Sequence, residues 1–274
     1  MPTINRAQWG WLLDRRIVIT DRMLNMLIHG AQTDALPLII VHGLYGSARN
    51  WGVIAKRLSD ERQVVAVDMR NHGDSPWNDG HSYVDLADDL AEVIGQLGGS
   101  ADVVGHSMGG KASMMLALTH PQKVRKLIVA DIAPVTYTHS QAPFITAMRG
   151  VDLTTVTRRS EAEVQLADLG VEKALQSFFT QSLDVTGKRW RLNLDALETE
   201  MPKIMSFPDV TTSWPGAVLF LSGGASDYVR PEHRPEIKAL FPAARFAKIP
   251  GAGHWLHAEK PREFEASVRH FLNV

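Results

Sequence analysis

Short apolar runs, each too brief to form a helix of its own, recur at 36–41 (LPLIIV), 63–68 (QVVAVD), 101–105 (ADVVG), 126–131 (KLIVAD), 217–222 (AVLFLS) and 245–249 (RFAKI). A strand that is apolar at nearly every residue is buried on both faces, the condition of a parallel sheet covered by helices rather than of a half-wetted hairpin. The runs end in, or lead into, Gly, Asp, Ser or His-Gly, residues suited to turns and to chemistry. Amphipathic stretches separate them. Ser82 can cap one helix, with Asp85 in its first turn; Leu86, Leu90, Val93, Ile94 and Leu97 then form one apolar stripe. A second helix is expected at 108–120, stopped by Pro121. A third covers 261–272, where Phe264, Val268, Phe271 and Leu272 can face a sheet. The pattern predicts an α/β fold, a mostly parallel central sheet with helices on both faces.

The alternation breaks at 134–213. That segment is strand-poor, with helical patches at 142–149, 161–169 and 171–182, and a less regular stretch at 194–205 that contains Pro202. Helices inserted between two strands of a parallel sheet are placed to roof the strands' C-terminal ends, where such sheets bind ligands. We therefore expect a core of 23–133 and 214–274, a helical cap at 134–213, and a loosely attached N-terminal extension at 1–22. The 274 residues suit one large domain with an insertion. Asp14, Arg15, Arg16, Asp21 and Arg22 interrupt any apolar stretch of the ~7–15 residues a secretory signal needs. No run approaches the ~20 apolar residues of a membrane span, so a cytoplasmic protein without one is expected. A formal net charge of −1 gives no reason to expect nucleic acid as a partner. The absence of cysteine excludes a disulfide framework, a thiolate metal site and a Cys nucleophile together.

Gly105-His106-Ser107-Met108-Gly109 matches G-x-S-x-G, the nucleophile elbow, in the context the motif requires: an apolar strand before it and a helix after. So sharp a turn tolerates only small neighbours, here Gly105, Gly109 and Gly110. The following helix N-terminus aims N–H groups and the positive end of its dipole at charge developing on a substrate. Ser107 is thus the candidate nucleophile. A serine hydroxyl needs a base to take its proton, and of 11 histidines His254 stands where one belongs, in a Gly-rich loop after the last strand. His106 should leave the elbow in another direction, and His257 and His270 read as packing or surface residues. Two carboxylates obey the order Ser…Asp…His: Asp131, closing the strand after the nucleophile helix, and Asp227, in the loop after the next strand. The usual acid position in that second loop holds Ser226, with Asp227 one residue late, which favours Asp131. The oxyanion hole is expected from the backbone N–H groups of Met108 and of Leu44, the latter inside His42-Gly43-Leu44-Tyr45-Gly46. Tyr45 and Trp255 are the candidate pocket residues, and no cofactor or metal is called for.

Together these residues resemble the α/β-hydrolase superfamily, and within it the YbfF-type bacterial esterases and their mitochondrial relatives. The matching stretches are HGLYGSARNW (42–51), VDMRNHGDSP (67–76), VGHSMGGKASM (104–114), DIAPV (131–135) and GAGHWLHAEKP (251–261). The resemblance implies hydrolysis of short acyl esters, extending to acyl-CoA thioesters, with a small-molecule ester or thioester as partner and Asp131 as the acid. Trp255, beside the base, looks like either a residue that gates the pocket or a packing tryptophan. The 134–213 segment is the least family-like. Serine at the nucleophile position argues against haloalkane dehalogenases and epoxide hydrolases. C–C bond hydrolysis, cofactor-free peroxidation and a ligand receptor with a near-idle triad use the same constellation and remain rivals; repeated turnover of p-nitrophenyl esters separates an enzyme from a receptor.

Overall fold

The computed structural model describes residues 23–273, so the expected extension at 1–22 lies outside the described residues. A seven-stranded sheet contains β1 (Met26–His29), β2 (Leu38–Val41), β3 (Val64–Val67), β4 (Ala101–His106) and β5 (Val124–Ala130). After the expected insertion it is completed by β8 (Ala217–Gly223) and β9 (Ala244–Ile249), in the order β1-β3-β2-β4-β5-β8-β9. Every pairing is parallel except that of β1 with β3. The continuous apolar runs are thereby explained, because alternate residues serve opposite faces. Ile39, Val41, Val103, Leu127 and Val129 join the core on one side; Leu38, Ile40, Val104, Ile128 and Ala130 join the other.

The first face is covered by α2 (Tyr83–Gln96) and α3 (Met108–Thr119), the second by α1 (Gly52–Leu58) and, after the short α9 (Arg234–Leu240) and α10 (Leu256–Glu259), by α11 (Pro261–Asn273). Ser82 caps α2 as expected: its hydroxyl accepts the Asp85 N–H while Asp85 returns a bond to the Ser82 N–H. Pro121 follows α3 within two residues, and Pro261 opens α11. At the amino ends of the strands, Asp102 is fully buried between two guanidinium groups. It accepts from Arg62 at 2.6 Å and from Arg125 Nε at 2.8 Å, two partners for one desolvated carboxylate.

Between β5 and β8 lie α4 (Ala142–Gly150), α5 (Arg159–Asp168), α6 (Lys173–Thr180), α7 (Leu194–Thr199) and α8 (Met201–Met205). The irregular 194–205 stretch is two short helices, and Pro202 sits in the first turn of the second, where its missing N–H costs no helical bond. The insertion also holds a small antiparallel ribbon, β6 (Leu183–Asp184) with β7 (Arg189–Trp190). No apolar pattern announces strands of two residues. Among the described residues no helix is long and apolar enough to cross a membrane.

The site follows from strand order and register. The chain runs from β2 outward to β3, then returns past β2 to β4, so the loops leaving β2 and β4 diverge and open a crevice between them. Val41 pairs with Gly105, which brings the 42–46 loop and Ser107 to the same height. His106 pairs with Ala130, placing Asp131 beside the elbow. Gly223 pairs with Ile249, setting the 224–229 and 250–254 loops side by side.

Candidate active site

Ser107 sits between β4 and α3 at φ 54 and ψ −122, a conformation that non-glycine residues seldom adopt. Its N–H donates to Ala130 O at 3.1 Å, fixing the turn. The neighbouring glycines are required by contact. A β-carbon on Gly109 would collide with the carbonyl oxygens of Val41 and His42, and one on Gly105 would collide with Gly109 O and the Ser113 hydroxyl. The elbow therefore packs tightly against its own backbone, and Ser107 lines a cavity of about 260 Å³.

His254 borders the same cavity, and its Nδ1 lies 2.8 Å from Asp131 Oδ2. Asp131, fully buried and itself at φ 52, accepts the Gly223 N–H on Oδ1 at 3.0 Å and the Ser226 hydroxyl on Oδ2. Since an ionised carboxylate only accepts, Nδ1 of His254 is the donor in this contact, which leaves Nε2 free of Asp131. Tyr228 stacks on the imidazole at 3.9 Å. Asp227, the alternative acid, is exposed, and its carbonyl is taken by Arg230 Nε at 3.1 Å. Ser226, the residue before Asp227, gives its hydroxyl to Asp131 instead.

The 42–46 loop and Met108 border the cavity as well. Three buried neutral histidines hold this side. His42 accepts the Met69 N–H at Nε2 (2.9 Å) and donates from Nδ1 to Gly43 O (2.8 Å). His72 accepts the Tyr45 N–H at Nε2 (3.2 Å) and donates from Nδ1 to Arg70 O (2.9 Å). His81 accepts from Asn71 Nδ2 at Nδ1 (3.3 Å) and donates from Nε2 to Met108 Sδ (3.3 Å). Burial lowers the pKa of all three, that of His81 to about 3. His106 also lines the cavity, and its Nε2 donates to His254 O at 2.8 Å and so supports the loop carrying that ring. His257 is a packing residue, stacked on Trp51 at 3.9 Å, and His270 is exposed, both as expected.

The β5–β8 insertion supplies Phe144, Leu175, Phe178, Ile204 and Met205 to the apolar walls. Trp255 lies against His254 and reaches Phe178 of the insertion (centroids 6.2 Å apart). Tyr45 borders the cavity as expected but is 2% exposed, its ring committed to packing. Sequence reasoning overlooked Lys111. It is 1% exposed on α3, one turn after Ser107, and donates to Val135 O (2.9 Å), Met205 O (3.0 Å) and Ser206 O (2.6 Å). Its ammonium also lies 4.8 Å from the Tyr137 ring centre, and burial draws its pKa down to about 7. The only sequence signal was a lysine inside an otherwise apolar helix.

A seven-stranded sheet with a serine elbow and a His–Asp pair at its carboxyl edge defines a class, and the comparisons agree with it. Residues 38–267 match the model of the alpha/beta hydrolase family, and the chain belongs to that family. Similar proteins include the sn-1-specific diacylglycerol lipase ABHD11 of Mus musculus, 43% identical over 249 residues that cover 86% of this chain and 81% of the mouse protein. Esterase YbfF of Escherichia coli is 37% identical over 240 residues, covering 86% of this chain and 93% of the bacterial one. A marine microorganism esterase of known structure superimposes with a TM-score of 0.84 at 39% identity, covering 91% of this chain and 99% of its own. The protein is a carboxylic-ester hydrolase acting on small-molecule esters.

Proposed function

We propose that the hydrolysis runs through an acyl-enzyme on Ser107, with His254 as general base, Asp131 as the orienting acid, and the Leu44 and Met108 N–H groups as the oxyanion hole. The observation that carries this reading is the 2.8 Å contact between Asp131 and His254 Nδ1 beside the elbow serine in one cavity. Nε2 takes the Ser107 proton as the hydroxyl oxygen attacks the ester carbonyl. Charge collects on the carbonyl oxygen, where each preorganised donor is worth roughly 10²–10³ in rate. His254 returns the proton to the departing alcohol, and water then repeats the sequence to free the acid and the serine.

In this reading residues 134–213 are a cap on a core of 23–133 and 214–274. Its support is that Phe144, Leu175, Phe178, Ile204 and Met205 of the insertion line the cavity together with core residues. A volume of about 260 Å³ lies at the small end of ligand pockets and favours short acyl groups. The test is a hydrolysis panel of p-nitrophenyl esters of rising acyl length, with acyl-CoAs alongside, run on the protein and on Ser107→Ala. We expect turnover to peak at short chains, and Ser107→Ala to lose both turnover and labelling by a fluorophosphonate probe. Labelling that persists at another serine would sink the nucleophile assignment.

A further inference from the structure

Tyr45 directly follows the proposed oxyanion donor Leu44, and it is held on every side. The turn Gly43–Gly46 is closed by Gly46 N–H to Gly43 O at 3.0 Å, with Tyr45 third in it at φ 64. Turns that need positive φ there ordinarily take Gly or Asn, and a bulky residue so placed persists only where its surroundings over-determine it. Here they do. The Tyr45 N–H is taken by His72, its carbonyl accepts the Ser182 hydroxyl at 3.0 Å, and its phenol donates to Gln141 O at 2.9 Å. Its ring meets Phe179 edge-on, 5.6 Å between centroids. Gln141, Phe179 and Ser182 all belong to the insertion.

The bonds form a closed circuit. Ser182 O accepts the Arg191 N–H (2.8 Å), Arg191 O accepts the Gly73 N–H (2.8 Å), and His72, beside Gly73, bridges Leu192 and returns to Tyr45. The loop bearing Leu44 is thereby locked to the insertion at two points, and through His72 to the core. We propose that Tyr45 is a positioning residue that couples the cap to the oxyanion hole, so that the Leu44 N–H points at the reacting carbonyl only while Ser182 and Gln141 grip the next residue. The proposal rests on the reading of Leu44 as an oxyanion donor. It assigns Tyr45 to the transition state rather than to substrate binding, since a ring that is 2% exposed has little surface to offer an acyl chain.

The experiment uses Ser182→Ala, Tyr45→Phe, their double variant and Ser182→Thr, which keeps the hydroxyl. For each, kcat and KM on p-nitrophenyl butyrate, Ki for butylboronic acid and Tm are measured. The boronate adduct places an oxygen in the oxyanion hole, so its affinity reports the hole without turnover. Ser182→Ala and Tyr45→Phe should each lower kcat about tenfold, part of the loss seen when a donor is removed outright. KM should stay within about twofold, and Ki should rise by the factor that kcat falls. Ser182→Thr should behave as the parent, and the double variant should lose less than the product of the two, because both bonds hold the same residue. A rise in KM at constant kcat, a kcat loss without a change in Ki, or a loss that only tracks Tm would overturn the proposal. Failure of the underlying reading is a separate outcome: the unaltered protein would then bind no boronate competitively, or would label away from Ser107.

Discussion

Asp131 gathers three donors on one carboxylate, and its own backbone is held at positive φ to do so. An amide in its place would turn an N–H toward His254 and invert the ring's tautomer. Asp131→Asn should therefore lower kcat by about 10⁴, the size of the effect in the serine-protease triad, while Asp227→Asn stays near the parent on p-nitrophenyl butyrate. The reverse ranking would move the acid to the second loop. At this scale Ser107, His254 and Asp131 were legible because each announces itself locally, by glycines that permit a turn or by a strand end in the right order. Ser226, His72 and Lys111 were not. Their partners lie across the fold (Asp131, Tyr45 and the Val135 and Met205 carbonyls), and no residue type encodes a partner that only the register brings near.

Helix α3 begins directly after Ser107, the proposed nucleophile, and carries the lysine that fastens the insertion. Lys111 donates to three backbone carbonyls, one buried and two half-buried, from the chain entering the insertion and the chain leaving it. Lys111→Met preserves the apolar stem and leaves those carbonyls without that donor, so it should destabilise the fold by about 3 kcal/mol or more. Urea unfolding followed by tryptophan fluorescence checks this, and a loss near zero would mean the carbonyls find other donors. The six parallel strands and the long helices were readable from period and apolar runs, and their ends fell within a few residues, whereas the edge strand β1 carries no such run. Elements defined by pairing escaped: the ribbon of β6 and β7 has two residues a side, and the break between α7 and α8 required knowing that Pro202 opens a helix rather than interrupting one.

Across the molecule, His42, His72, His81, His106 and His257 are buried as neutral rings, with pKa values held below the ordinary 6.5 by burial. In the unfolded chain they titrate near 6.5. Between the folded and unfolded values the unfolded state therefore binds more protons, so stability rises with pH through that window and is complete above it. It is lost as pH falls from 6.5 toward about 3, the folded value for His81 and His257. Calorimetry should show Tm dropping between about pH 7.5 and pH 5, with uptake of more than about two protons on unfolding at the lower pH; a flat Tm would contradict this. The parallel sheet has a separate consequence. All the proposed chemistry stands at its carboxyl edge, while the opposite edge is built around the Arg62–Asp102–Arg125 cluster. Glu61, exposed beside that cluster, is a natural anchor point. In a chain with no cysteine of its own, a single thiol introduced there would give one-site tethering to a bead or electrode, every molecule presenting its open cavity to the passing substrate.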